Sequence, residues 1–166
     1  FVSLFDNQMV MTIGDIKVDW QNDIIYVGSG ENNSSRSSYS GNGIYKSVDN
    51  GKSWDNIGLQ ESHHIGRIII HPQNPDIIWV ASLGHLYSSS NERGIYKSLD
   101  GGLTWTNKLY VNDYTGAIDL VIDENNPEIL YASMWEKDRK AWNFDGSGVG
   151  SGIYKSIDGG ENWVEI

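Results

Sequence analysis

Cysteine is absent from the 166 residues, so no disulfide framework, thiol nucleophile or cysteine-ligated zinc is available. Basic residues are scarce: 12 Lys and Arg face 22 Asp and Glu, which leaves a formal charge of −10 and excludes the basic footprint that a nucleic acid or an anionic membrane demands. No apolar run approaches the roughly 18 residues of a membrane-spanning helix, and no charged start followed by an apolar stretch marks a signal peptide. Only 3 prolines occur, whereas 19 glycines, 7 tryptophans and 9 tyrosines favour strands and tight turns. The apolar residues fall in short β-branched runs such as Ile68-Ile69-Ile70 and Ile77-Ile78-Trp79-Val80, each closed by Gly, Pro, Asn or Asp. No helix longer than one or two turns is expected.

The strongest feature is a repeat. Gly43-Ile44-Tyr45-Lys46-Ser47 recurs as Gly94-Ile95-Tyr96-Lys97-Ser98 and Gly152-Ile153-Tyr154-Lys155-Ser156, at spacings of 51 and then 58 residues. Each block runs on into Ser-x-Asp-x-Gly-x-x-Trp: Ser47, Asp49, Gly51, Trp54; Ser98, Asp100, Gly102, Trp105; Ser156, Asp158, Gly160, Trp163. A second shared block lies upstream, with Asn74-Pro75 and Asn126-Pro127 as matching turns. Short strands at this period read as blades of a β-propeller. The expected fold is all-β, with about three blades of four antiparallel strands belonging to a larger propeller. Residues 1–14 form a preceding outer strand (Phe1 to Phe5) and a connector, 15–60 blade one, 61–112 blade two and 113–166 blade three. The opening at Phe1 without an initiator Met suits an internal piece of a longer protein.

The motif resembles the Asp-box, or bacterial neuraminidase, repeat, matching at every fixed position in all three copies. Stretches such as Glu61-Ser62-His63-His64-Ile65-Gly66-Arg67 and Ala81-Ser82-Leu83-Gly84-His85-Leu86 are similar to the sortilin-like and glycosyl-hydrolase-like repeat proteins of bacteria. The resemblance implies a propeller, leaves activity open, and implies an extracellular or periplasmic parent protein. Three identical copies on three blades cannot all address one substrate, so Asp49, Asp100 and Asp158 are read as fold staples: the carboxylate accepts turn N–H groups, the Gly adopts a left-handed conformation, and the Trp is buried over the preceding strand.

Alternating strand direction puts the Asp-box and Asn-Pro turns on one face and the variable loops on the other, where function is sought. The variable loops are 30–42, 60–65, 84–93, 112–115 and 135–151. Their candidate ligand-binding residues are His63, His64, His85, Tyr87, Arg93, Trp135, Arg139 and Trp142, since aromatic platforms beside charges suit sugars or peptides. The weak catalytic candidates are Glu31, Asp113 and Glu136. His63, His64 and His85 with Glu31 or Glu136 lack a tight ligand spacing such as His-Glu-x-x-His, so no metal and no cofactor is expected. A sialidase needs an arginine cluster, and Arg36, Arg67, Arg93 and Arg139 are the only arginines. The preferred reading is a binding or scaffold segment recognising a glycan or protein. The alternative is part of an endoglucanase-like glycoside hydrolase. The open edges are expected to meet the remaining blades or other copies of the chain.

Overall fold

A computed structural model describes residues 2–166. Three four-stranded antiparallel sheets follow one another along the chain. The first contains β1 (Ile13–Asp19), β2 (Ile24–Ser29), β3 (Ile44–Ser47) and β4 (Asp55–Asn56); the second contains β5 (Ile65–Ile70), β6 (Ile78–Ser82), β7 (Gly94–Ser98) and β8 (Thr106–Leu109). The third contains β9 (Thr115–Ile122), β10 (Leu130–Glu136), β13 (Gly152–Ser156) and β14 (Val164–Glu165), with a separate hairpin, β11 (Asp138–Arg139) and β12 (Phe144–Asp145), inserted before β13. A single 3-10 turn, Gln60–Ser62, is the one helical element among the described residues. β1, β5 and β9 lie side by side as the inner strands, which is the arrangement of propeller blades.

Period-two alternation places the apolar residues on both faces of each blade. On β6, Ile78 and Val80 pack towards blade one with Tyr26, Ile44, Ile65 and Ile68, while Trp79 and Ala81 pack towards blade three with Ala117, Leu120, Leu130 and Met134. The core is therefore two inter-blade layers. Each inner strand carries a bulge at the same place, leaving Gly14, Gly66 and Ile118 out of the pairing register. A Cβ on Gly14 would stand 2.0 Å from the Ile65 carbonyl oxygen, so β1 reaches β5 this closely only without a side chain there.

The three Ser-x-Asp-x-Gly-x-x-Trp turns superpose in their bonding. Asp49, Asp100 and Asp158 each accept a backbone N–H through Oδ1, from Ser53, Thr104 and Asn162, all at 2.9 Å. Oδ2 of each takes a second bond from the side chain of the same residue. These bonds hold all three carboxyls down at about 2, the residue four positions on being the main cause. Gly51, Gly102 and Gly160 have φ of 80°, 95° and 81°, as a left-handed turn position requires.

Two expectations need correction, while a third holds: the motif tryptophans are mostly buried, Trp54 Nε1 donating to the Leu4 carbonyl and Trp105 Nε1 to the Ile57 carbonyl, both in the segment preceding their own blade. The fully buried tryptophan is Trp79, between blades two and three. Residues 2–12 contain no strand, although Leu4 accepts from Trp54 as Ile57 does from Trp105; Phe1 lies outside the described residues. Trp135 and Glu136 are not loop residues, since β10 carries pairing with β9 as far as Glu136.

The blades are also latched by a lysine. Lys46 Nζ donates to the Gly101 carbonyl of the next blade at 3.0 Å, and Lys97 Nζ to the Gly159 carbonyl at 2.7 Å. Both lie over a β2- or β6-strand aromatic ring, Tyr26 or Trp79, as Lys155 lies over Tyr131 at 5.4 Å.

Candidate functional site

The variable loops of all three blades meet on one face. Tyr87 Oη, in the β6–β7 connection, donates to the Arg36 carbonyl at 2.5 Å in the β2–β3 connection of blade one. Arg139, on the β11–β12 hairpin, donates through Nε and Nη2 to the Ser34 carbonyl at 3.0 and 2.9 Å, and its guanidinium lies 4.0 Å from the centre of the Phe144 ring. Under this canopy sits a dense cationic group. Arg93, 1% exposed, donates to the carbonyls of Leu83, His85 and Ser88 at 2.6, 2.8 and 3.2 Å. Lys137, 2% exposed, donates to the same His85 carbonyl at 3.2 Å.

Among the described residues none forms an ion pair with Arg93 or Lys137, and burial is felt in their protonation. Burial, then repulsion from Arg93 and Arg139, pulls Lys137 down to about 7; burial takes Arg93 down to about 10. His64, 3% exposed, has no hydrogen-bond partner on either ring nitrogen; burial, reinforced by Lys137, pushes it down to about 4. His63 is lowered by burial and then by His85. Both shifts favour the neutral imidazole of His63 and of His64.

Beside Lys137, a cavity of about 250 Å³ is lined by Tyr114, Glu136, Lys137, Asp138, Asp145 and Ser147. Asp138 and Asp145 are directly opposed across the β11–β12 hairpin, which sets such side chains about 4.5–5.5 Å apart at Cβ. Asp138 accepts from Lys140 Nζ at 2.9 Å and Asp145 from Asn143 Nδ2 at 3.3 Å. This opposed pair is not evident from the sequence, where 135–151 read as one loop; the two-residue strands give no alternating pattern to find.

The predicted residues divide. His63 and His85 are stacked, ring centres 3.8 Å apart, with His64 edge-on to His63 at 6.4 Å. Glu136 lines the cavity, but its Oε2 accepts the Gly150 N–H at 2.7 Å, so part of its role is to fold the following loop. Asp113 accepts from Tyr110 Oη at the rim, and Glu31 is half-buried in the 30–42 loop; neither lines that cavity. Trp135 packs edge-on to Phe144 at 5.9 Å and donates to the Gly146 carbonyl at 2.8 Å. Trp142 projects into solvent, 86% exposed.

A second, larger open groove of about 690 Å³ follows the inner strands. Arg67 stands at its wall between Asp119 at 2.7 Å and Asp15 at 3.6 Å, three residues at the same position of β5, β9 and β1. One guanidinium faces two carboxylates there, so a net negative charge remains.

No protein-family model and no curated protein matches the chain. Solved structures do. The GH74 xyloglucanase from Xanthomonas campestris matches 97% of this chain and 24% of its own at 17% identity and a TM-score of 0.62. An ancestral GH74 enzyme matches 95% of this chain and 24% of its own at 16% identity and a TM-score of 0.56. The Niastella koreensis GH74 enzyme matches 92% and 29% at 17% identity and a TM-score of 0.53. At these identities the likeness is one of fold: the chain has the blades of a β-propeller like those of GH74 glycoside hydrolases. It spans about a quarter of the length of the solved chains it matches.

Proposed function

We propose that these are three blades of a larger propeller of the glycoside-hydrolase kind, acting on a β-glucan at the variable-loop face. The observation that carries this reading is that three GH74 enzymes each match more than nine-tenths of the chain. The site agrees with it: hydrolysis of a glycosidic bond needs two carboxyls, about 5–5.5 Å apart for retention or 6.5–9.5 Å for inversion. Asp138 and Asp145, opposed on the hairpin with Glu136 in the same cavity, are a better pair than the dispersed Glu31 and Asp113. One carboxyl would protonate the leaving oxygen while the other attacks the anomeric carbon or activates water. The Ser-x-Asp-x-Gly-x-x-Trp turns would be Asp-box staples of the scaffold, and the parent protein an extracellular or periplasmic one working where polysaccharide is met.

A second reading, recognition of a glycan without turnover, is favoured by Trp142, held out into solvent in the turn of the β11–β12 hairpin. Its indole offers the flat apolar surface on which a sugar ring stacks. One experiment separates the two. The chain and its parent are incubated with xyloglucan and other β-glucans, and Asp138→Asn, Asp145→Asn and Trp142→Ala are compared with the unaltered protein. Hydrolysis lost by a hundredfold or more in either Asp variant supports the enzyme. Retention of polysaccharide without cleavage, abolished by Trp142→Ala, supports the binding module. Neither cleavage nor retention by the parent overturns both.

A further inference from the structure

We propose that Glu61, His63 and His85 form a divalent transition-metal site of the zinc class, which ties the connection between blades one and two to the β6–β7 loop. Three observations independent of the glycan reading lead there. The first is convergence. The ligand atoms of the three residues all lie within 4.8 Å of one another, and Glu61 Oε2 stands 3.9 Å from His63 Nε2 and 3.7 Å from His85 Nε2. Both separations are too long for a hydrogen bond. They are slightly longer than the ~3.3 Å between neighbouring ligands of a tetrahedral ion with bonds near 2.0–2.1 Å. An ion would draw Glu61 and the two histidines together by about half an ångström along the Glu61 separations, with the stacked imidazoles hinging open so that each ring plane meets the metal.

The second observation is the state of His85. Its Nδ1 is 2.9 Å from Ser88 Oγ, whereas its Nε2 is shielded from solvent and has no hydrogen-bond partner. A Nδ1–H donated to the serine oxygen leaves the Nε2 lone pair directed into the cluster. That is the outer partner by which metal-binding histidines are oriented. A buried unpaired ring nitrogen otherwise carries a desolvation penalty with nothing to offset it.

The third is the rigidity of the support. His63 holds a positive-φ backbone, φ 57° with ψ −38°, just after the 3-10 turn, and its carbonyl accepts the Gly41 N–H at 2.6 Å. On the other side, Arg93 and Lys137 grip the His85 carbonyl at 2.8 and 3.2 Å. A non-glycine residue kept in that conformation marks a place where surrounding structure overrides local preference. Two imidazoles and one carboxylate are borderline donors suited to zinc, and a fourth corner stays open to water or to a ligand's oxygen. The sequence groups these histidines on one face but pairs them with Glu31 or Glu136; the carboxylate that the blade geometry brings to them is Glu61.

The test uses the full 166-residue chain, stripped with a chelator and titrated with Zn²⁺ by calorimetry and with Co²⁺ by visible absorption. Expected are one ion per chain, a zinc-dependent rise in Tm, and the intense visible band of low-coordinate Co²⁺. His63→Ala, His85→Ala and Glu61→Gln each weaken binding by tenfold or more, and Glu124→Gln, an exposed acid on the opposite face, leaves it unchanged. Circular dichroism and Tm without metal establish that each variant folds. Ser88→Ala replaces no ligand, frees the tautomer of His85, and should weaken zinc binding severalfold even if an alanine variant is unstable. Binding retained in the His63→Ala/His85→Ala double variant, no saturable binding in the unaltered chain, or full affinity in Ser88→Ala would overturn the proposal.

Discussion

Blades two and three carry the same five residues on their third strand, Gly-Ile-Tyr-Lys-Ser, and bury them differently. Every residue of β7 is buried, whereas in β13 only the serine is. Ile95 is 0% exposed, as is Ile44 in blade one, but Ile153 is 52% exposed. Lys97 bonds the turn of the following blade; Lys155 rests over Tyr131 in the same pose with no turn carbonyl to meet. Identical sequence with unequal burial teaches that the third strand is written for a neighbour on its far side. Blade two has that neighbour in blade three. The outer face of blade three is made to receive one, and another blade bearing the same turn is the surface that fits it.

The largest difference between the two blades should come from the isoleucines. Ile95→Ala is expected to cost about 2–5 kcal/mol, as for a large aliphatic residue removed from a packed core. Ile153→Ala should cost under about 1 kcal/mol, as for a surface change. Denaturant unfolding of the two variants measures both. Equal losses would mean that the outer face of blade three is already covered, by another copy of the chain. Repeating the pair in a chain extended by a further blade sharpens the comparison, because there Ile153→Ala should approach the cost of Ile95→Ala.

A smaller effect should be the same in both blades. Ser98 and Ser156 are each 1% exposed; each hydroxyl donates to its own Asp and accepts the Gly N–H two positions beyond that Asp, at 2.9 Å in both. Nothing in that turn depends on a following blade. Ser98→Ala and Ser156→Ala should therefore each cost about 1–3 kcal/mol, the penalty of leaving a buried donor unmatched. A gap between them as wide as that between the isoleucines would show that the turns, too, rely on neighbouring blades.

The contrast explains what could be read from the residues alone. The blades, their strand order and the turn bonding of Asp49, Asp100 and Asp158 were legible, because a threefold motif fixes local chemistry within a dozen residues. Legible too was the face on which His63, His64 and His85 gather, since strand alternation decides it. The bonding partners of Trp54 and Trp105 were not, because Leu4 and Ile57 lie about 50 residues away. The opposed Asp138 and Asp145 escaped notice because a two-residue ribbon has no period. The place of Glu61 beside two histidines, and the unpaired burial of His64, Arg93 and Lys137, arise where loops of different blades converge, and no local pattern records that convergence.

The smallest expected effect is a titration, and it should be alike in all three blades. Each motif carboxyl is held at about 2 in the folded chain against an ordinary value of 3.8. A folded value below the unfolded one means that the unfolded chain binds more protons in this window. The stability contributed by these groups is whole above the unfolded value, near pH 4, and is lost as pH falls from there through about 2. Asp100→Asn should flatten the fall of Tm between pH 4 and pH 2, and Asp49→Asn and Asp158→Asn should flatten it by similar amounts, since the bonding of the three is the same. The shifts come from hydrogen bonds within each turn and not from distant charges, so molar salt should leave the flattening intact. A slope abolished by salt, or sensitive to Asp158 but not to Asp49, would show that electrostatics between blades and not the turns themselves set the acid limit.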